Sequence, residues 1–526
     1  MNSATDGAWD IEAIIARTAL KYDLLPYESK PFAQSQPGRL AAICKLFSLQ
    51  AAPLESARVL ELGCASGGNI LPHAVRFPDA TFVGFDLART QVAAGRARIK
   101  ALGLRNIEIL CQSFTEIDDD LGQFDYIICH GVFSWVPPAV QEAIFQVVRA
   151  RLSPVGVACI SYNVLPGWRM MQPLRDAFLL EIPDSVDSLD RVAKARELLA
   201  FLKQATPDTG PYGDMLRAWA DRLAILPDDY IAHEFLEETN APSTVRDFVH
   251  GAARHGLGYL GECELSSMIL DNYDASVAGQ VRTRSGNDLV ETEQYLDLLS
   301  GRTFRQSLLV ASDRMTGVDR SLTPDRIADL QFLAPAGLTA TLEGDVATVT
   351  DPAGRTLTST HGDVIEGIER LVARFPASSG LDDLATGMSD AGRSALREAL
   401  YRMVIGGMLH VSTSVVSACP EIGDKPVALE LARMDAAAGA TLTTNQRHES
   451  VAIDAAAKIL LVAMDGSRDQ NALAALLLAE AKAGRLVFNR DGQPIVDPVE
   501  LDGVVADHLP TLLAGIAAAG LVERSQ

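Results

Sequence analysis

An apolar run that ends in an acid and then turns on glycines, "VLELGCASGGN" (Val59–Asn69), is the first place where this chain could hold a ligand. Gly63, Gly67 and Gly68 let the backbone turn tightly, so that N–H groups of the turn and of a following helix point outward at whatever sits there. No Gly-Lys-Ser/Thr follows, which excludes a Walker phosphate loop, and Ala65 stands where a dinucleotide-binding GxGxxG motif has its middle glycine. The next apolar run, "FVGFD", ends in Asp86, an acid placed at a strand tip to take both hydroxyls of a ribose, with Leu87 beside it. "ILCQSF" then presents Gln112, Ser113 and Phe114, a polar pair and a ring suited to the edge and face of an adenine. "FDYIICHGVFSWVP" ends in His130, Gly131 and Val132, and its loop faces the same crevice. Alone, the glycine turn is compatible with a structural strand-to-helix connection. Four successive tips of this kind specify a nucleoside site.

These tips need strands behind them. Between about residues 55 and 165, short apolar runs alternate with amphipathic ones. "ARVLELG", "ATFVGFD", "IEILCQS", "FDYIICH" and "GVACISYN" read as strands, and "NILPHAVRF", "RTQVAAGRARIKALG" and "AVQEAIFQVVRARLSP" as helices. Apolar strands that alternate with helices give a parallel sheet covered on both faces. Residues 170–310 read as mostly helical, "LTATLEGDVATVTD" as a hairpin, and the last 160 residues as two helical units with strand-like tails, each like a winged helix.

The rest of the composition sets bounds. A chain of 526 residues, 48% hydrophobic and 22% charged, is globular and has several domains. No uninterrupted apolar run reaches the roughly 18 residues of a membrane span. The first thirty residues lack the basic start and apolar core of a signal peptide, so a cytoplasmic location is expected. Seven scattered cysteines with no CxxC pair read as buried thiols, without zinc site or disulfide framework. A net charge of −22 disfavours nucleic acid and favours a basic partner, although acidity also serves solubility. His233, Glu234 and Glu237 form HExxE, but without a second histidine the segment reads as a structural helix. No metal is expected.

The successive motifs resemble those of class I S-adenosylmethionine-dependent methyltransferases. "YESKPFAQSQPGRLAA", "HGVFSWVP", "SYNVLPGW", "HEFLEETNAP", "FVHGAARHGLGYLGE" and "EQYLDLLSGRTFRQSLL" narrow this to bacterial methyltransferases with a methyltransferase regulatory domain, a group that includes the rickettsial-type protein lysine methyltransferases acting on outer-membrane surface protein. The resemblance is strong over residues 20–310 and fainter beyond. It departs at Ser35, Gln36, Pro37 and Gly38, where the family often has Thr-His-Pro-Asp.

The resemblance implies an α/β fold: a Rossmann-like seven-stranded methyltransferase core, then a helical regulatory domain and an α+β winged-helix-like C-terminal region. The expected divisions are an N-terminal helical cap (1–50), a cofactor core (51–180), a regulatory and dimerisation domain (181–315), a middle domain (316–430) and a C-terminal domain (431–526). It implies S-adenosylmethionine as cofactor. Glu61 and Gly63 would line its methionine end and Asp86 hold its ribose. Ser113 and Phe114 would flank its adenine, His130 would contribute backbone, and Tyr27 would close a lid. Trp135, Tyr162 and Trp168 are expected on the rim over the transferred methyl group, where aromatics hold a lysine stem or a sulfonium, or else pack against a neighbouring domain. The Asn-Pro-Pro-Tyr motif of many amine-methylating enzymes is absent, so nitrogen chemistry follows from the resemblance alone. The expected activity is methyl transfer to a protein substrate, at lysine, with a lysine-rich surface protein as one candidate partner. Small-molecule methylation and a non-catalytic cofactor sensor or peptide scaffold are the competing readings.

Overall fold

The structure is a computed structural model that describes residues 20, 22–24, 26–117, 119–183, 188–207, 209–490, 493–495 and 497–524. The chain divides into two compact units, one of residues 1–29 and 55–318 and the other of residues 30–54 and 319–526. The expected N-terminal cap is therefore split, its second half packing in the other unit.

The first unit is built on seven strands in the order β3-β2-β1-β4-β5-β7-β6: β1 (Arg58–Leu62), β2 (Thr81–Asp86), β3 (Ile107–Cys111), β4 (Phe124–Cys129), β5 (Leu152–Asn163), β6 (Leu257–Glu262) and β7 (Phe304–Ala311). The first five run parallel, with helices α1 (Leu71–Arg76), α2 (Arg89–Ala101) and α3 (Pro138–Arg151) in the crossovers. Strand β7 is antiparallel to both β5 and β6. Residues of β1, β4 and the second half of β5 are buried on both faces, as the unbroken apolar runs require.

Between β5 and β6 the chain makes a helical insertion: α4 (Gln172–Glu181), α5 (Ser188–Ala205), α6 (Pro211–Ala224) and α7 (Asp228–Phe235). It has a core of its own, which includes Trp168, Leu174, Phe178, Leu216 and Phe235. Helix α8 (Val245–Arg254), capped by the Thr244 hydroxyl, then leads into β6. Two capped helices, α9 (Ala275–Ser285) and α10 (Leu289–Ser300), precede β7 and each end on a left-handed glycine, Gly286 and Gly301. The expectation that residues 170–310 are mostly helical misses β6 and β7. Glycines in "LGYLGE" and an arginine near the start of "FRQSLLVA" conceal them.

That arginine, Arg305, is fully buried. Its Nη1 donates to Glu262 Oε1 (2.7 Å), its Nη2 to Glu293 Oε2 (2.9 Å) and Asp297 Oδ1 (2.7 Å), and its Nε to Asp297 Oδ2 (2.9 Å). Ser307 and Tyr259 hydroxyls also donate to Glu262. Burial works against the guanidinium charge, but Glu262 and its neighbours hold the proton far more tightly than usual. Burial pushes Glu293 up to about 7 against the pull of Arg305.

In the second unit the helix Pro37–Leu46 lies against the strand His410–Ser412. The Thr413 N–H donates to the Gly38 carbonyl at 2.9 Å, and a Cβ on Gly38 would sit 2.6 Å from Ser412 Oγ, so the departure from the family's acid at this position permits a close approach. The expected hairpin is present, turning at Gly344, and a third strand extends it: Thr339–Glu343, Val346–Thr350 and Thr356–Ser359. The last part of the chain has a core of Leu460, Leu461, Leu473, Leu477, Leu509 and Leu513. Its helix Pro498–Ala518 is long and apolar enough to cross a membrane by length and composition, although Glu500, Asp502 and Asp507 interrupt its apolar run; one face is buried in this core.

Replacing Arg305 by leucine strands three buried carboxylates. The expected cost is roughly 3–5 kcal/mol. Among the described residues the tryptophans, Trp135, Trp168 and Trp219, belong to the first unit, so urea denaturation followed by tryptophan fluorescence reads its unfolding.

Candidate functional site

The carboxyl ends of β1 and β2 meet at a pair of acids. Asp86 closes β2, and its Oδ2 accepts the Ala65 N–H at 2.7 Å while its Oδ1 accepts the Ala88 N–H at 2.9 Å. Ala65 has φ +48°, in the region glycine favours, and the bond to Asp86 holds it there. Burial raises the Asp86 carboxyl, opposed by those two backbone N–H groups. Each oxygen keeps lone pairs beyond its backbone bond, which suits a vicinal diol.

Glu61 lies inside, one residue short of the end of β1, and is 2% exposed. Asn69 Nδ2 donates to its Oε1 at 2.8 Å, but its Oε2 is buried with no hydrogen-bond partner. Burial pushes this carboxyl up to about 8, against the Asn69 bond. A buried acceptor without a donor fits an ammonium group brought by a ligand. Gly63 has φ +78°, and a Cβ there would lie 2.4 Å from Val132 Cγ2, so the first loop and the loop after β4 are in contact only because this residue is glycine.

Beyond β3, Ser113 is buried and accepts the Thr115 N–H at 3.2 Å, capping the short turn that follows. Gln112 is half-buried and reaches the Glu116 carbonyl at 3.5 Å; Leu87 is half-buried next to Asp86. Phe114 is 9% exposed and is part of the core beneath the sheet, so most of its ring packs inside the protein. His130, half-buried after β4, lies 3.3 Å from Gln306 Nε2 through its Nδ1 and edge-on to the Phe304 ring.

The segment before the first strand crosses these ends. Ser29 Oγ accepts the Gly68 N–H (2.8 Å), Asp23 Oδ1 accepts the Thr90 N–H (2.9 Å) and hydroxyl (2.8 Å), and the Tyr27 carbonyl accepts Gln91 Nε2 (2.6 Å). Tyr27 packs edge-on against His233 of α7, while Tyr22 stacks on the same ring at 4.5 Å. Burial, reinforced by Glu237, Asp86 and Glu234, drives the Tyr22 hydroxyl well above its usual range. The HExxE segment is thus a helix, α7, whose histidine anchors the segment before the first strand. Glu234, raised to about 7 by burial against Arg175, has no hydrogen bond among the described residues. Among the described residues no group of three or more His, Cys, Asp or Glu is placed to hold a metal ion.

Of the aromatics expected on the rim or else packed inside, Tyr162 turns into the core and Trp135 and Trp168 pack against each other. Tyr162 is inside β5, 1% exposed, stacked on Phe248 at 4.0 Å with its hydroxyl 3.2 Å from Ser307 Oγ. Trp168 is buried in the core of the insertion and meets the half-buried Trp135 edge-on at 6.0 Å. The cysteines follow expectation in part: Cys44, Cys64, Cys129, Cys159 and Cys263 are buried thiols, while Cys111 is exposed.

Comparison with known proteins agrees with this geometry. Residues 59–156 match the family described as methyltransferase domain, residues 227–311 the predicted methyltransferase regulatory domain, and residues 424–521 the PKMT C-terminal winged helix domain. The uncharacterized protein RP789 of Rickettsia prowazekii is 34% identical over 502 residues, covering 91% of this chain and 89% of that one. The chain belongs to the S-adenosylmethionine-dependent methyltransferases that carry a methyltransferase regulatory domain and a PKMT winged helix domain. The methyltransferase also shares its fold with PKMT2 from Rickettsia typhi, at TM-score 0.82 and 25% identity over 94% of this chain and all of that one. The complex of PKMT2 with AdoHcy matches at 27% identity and the same TM-score and coverage. S-adenosylmethionine is its cofactor, which when bound supplies a methyl group on an activated sulfonium. The regulatory family spans β6 and β7, so the sheet of the methyltransferase is completed by its regulatory region.

Two outcomes are expected from calorimetry with S-adenosylmethionine. Asp86→Ala weakens binding tenfold or more, about 1.4 kcal/mol. At pH 7 binding releases a proton, seen as a dependence of the heat on buffer ionisation, because Glu61 is protonated in the free enzyme and an ammonium favours its carboxylate. Glu61→Gln removes that proton. In the free enzyme the raised Glu61 contributes stability that is full below the ordinary carboxylate range and lost as pH rises through about 8, and the same substitution flattens that window.

Proposed function

We propose that this methyltransferase transfers the methyl group to a protein, at lysine side-chain nitrogen. The observation that carries the reading is the likeness to PKMT2 over 94% of the chain, together with the PKMT winged helix at residues 424–521. Two features of the chain support it. Its net charge of −22 draws a basic partner. The Tyr22 and Tyr27 rings and the Glu234 and Glu237 carboxylates gather on the side of the cofactor acids, a lining suited to a cationic side chain.

In this reading Glu61 Oε2 takes the ammonium of the cofactor, Asp86 takes its ribose, and the Tyr22–Ser29 segment keeps water from the carboxyl ends of β1 and β2. The nucleophile must shed a proton before it can attack, and Glu234, poised near neutrality, is the carboxylate placed to relieve it. Alignment then contributes most of the acceleration, because the methyl group is already activated.

The test is incubation of the full chain with S-adenosylmethionine and lysine-rich bacterial surface proteins, with methyl groups located by mass spectrometry. Methylated lysines are expected, reduced at least tenfold by Asp86→Ala. Methyl groups only on other residues, or only on small molecules of an added extract, would overturn the reading.

A further inference from the structure

We infer that Asn163, Asn240 and the indole of Trp168 form the subsite that receives the methyl-accepting amine, an inference that rests on the lysine reading above. Burying an amide or indole N–H without a partner costs about 1–3 kcal/mol, and native proteins leave few such groups. Here three occur on chain segments that are hydrogen-bonded neighbours. Asn163, the last residue of β5, is 3% exposed, and its Nδ2 is buried without a hydrogen-bond partner among the described residues. Both Nδ2 and Oδ1 of Asn240 are buried and unbonded. So is Nε1 of Trp168, a residue 4% exposed.

Main-chain bonds gather the three around Ser134, in the loop after β4. The Ser134 hydroxyl accepts the Asn163 N–H at 2.8 Å, and the Ser134 carbonyl accepts the Ala241 N–H at 2.7 Å, which places Asn240 beside it. The Ser243 N–H returns to the Asn163 carbonyl at 3.1 Å, and the Trp168 N–H to the Val164 carbonyl at 3.1 Å. The Trp135 ring, next to Ser134, closes edge-on upon Trp168. All of this lies at the carboxyl ends of β4 and β5, where the Gly131 N–H is bonded to Ser161 Oγ at 2.8 Å, on the crevice side of the sheet.

The chemistry of the set selects its guest. It is neutral, with two side-chain carbonyls and three N–H donor groups, two amide and one indole. Two carbonyls accept the two N–H bonds of a neutral primary amine and leave its lone pair free, the state in which nitrogen is a nucleophile. An ammonium has a third donor and no lone pair, and finds no carboxylate among these three residues. The indole and amide N–H groups suit an oxygen of the same substrate, such as a peptide carbonyl near the lysine. The absence of the Asn-Pro-Pro-Tyr motif is then answered by amides from two other places, the end of β5 and the approach to α8.

The test uses the full chain with Asn163→Leu and Asn240→Leu, both close in volume to the originals. Because each removes an unbonded buried amide, thermal stability is expected to stay level or rise. S-adenosylmethionine affinity stays within twofold, while kcat/KM toward poly-L-lysine falls a hundredfold or more; Asn163→Ser, which restores an acceptor, recovers part of it. In parallel, n-butylamine titrated against the S-adenosylhomocysteine complex changes the tryptophan fluorescence of the wild type and not of Asn163→Leu. The proposal is overturned if both leucine variants keep kcat/KM within threefold, if activity falls only in step with stability or cofactor affinity, or if n-butylamine leaves the wild-type signal unchanged. Should the wild type methylate only a non-amine acceptor, the lysine reading falls, and the subsite falls with it if both leucine variants methylate that acceptor normally.

Discussion

A guanidinium with no access to water sits where the methyltransferase sheet changes direction. Arg305 stands next to the end of the antiparallel pairing, opposite Tyr162 of β5, and its bonds run to β6 through Glu262 and to α10 through Glu293 and Asp297. Tyr162 reaches the same cluster through Ser307. Such a cluster adds little net stability relative to a well-packed apolar one, but it tolerates no missing member. It therefore fixes register more than it adds strength. With β7 fixed, Gln306 meets His130 and Phe304 stands beside it, so the loop after β4 is held by residues that belong to the regulatory family. Cofactor core and regulatory region are one folded object at this point.

Much of this was legible in the sequence, for reasons that differ by residue. Strands β1 to β5 announce themselves because strands buried on both faces are apolar throughout. Asp86 and Glu61 could be placed because each ends or nearly ends such a run, and position at the carboxyl end decides what an acid can reach. Tyr162 was misplaced because a strand alternates its faces: one residue before the end, its ring turns to Phe248, while Asn163 takes the neighbouring position. Tyr22, Asp23 and Ser29 left no signal at all. Their partners, His233, Thr90 and Gly68, are distant in sequence and no local pattern links them. Strands β6 and β7 escaped because a buried ion cluster puts charge where apolar periodicity was sought.

The alanine in the glycine loop is a smaller case of one residue fixing another. Asp86 holds the Ala65 N–H, so the acid that closes β2 also sets the backbone of the first loop. A residue other than glycine is tolerated at φ +48° because that bond and the packing around it determine the turn. A change at Asp86 is then felt in the first loop as well as at the end of β2.

The helical insertion leaves the sheet and returns to it through hydrogen-bonded neighbours. The Leu165 N–H donates to the Ser243 carbonyl at 3.0 Å, and the Ser243 N–H to the Asn163 carbonyl at 3.1 Å. With its ends joined and a core of its own, the insertion is a cassette: helices can be lengthened, exchanged or lost within it while the strands on either side keep their register. Lineages that share this sheet can thus diverge between Leu165 and Ser243 in what surrounds the acceptor, so long as α7 keeps His233 against Tyr22 and Tyr27.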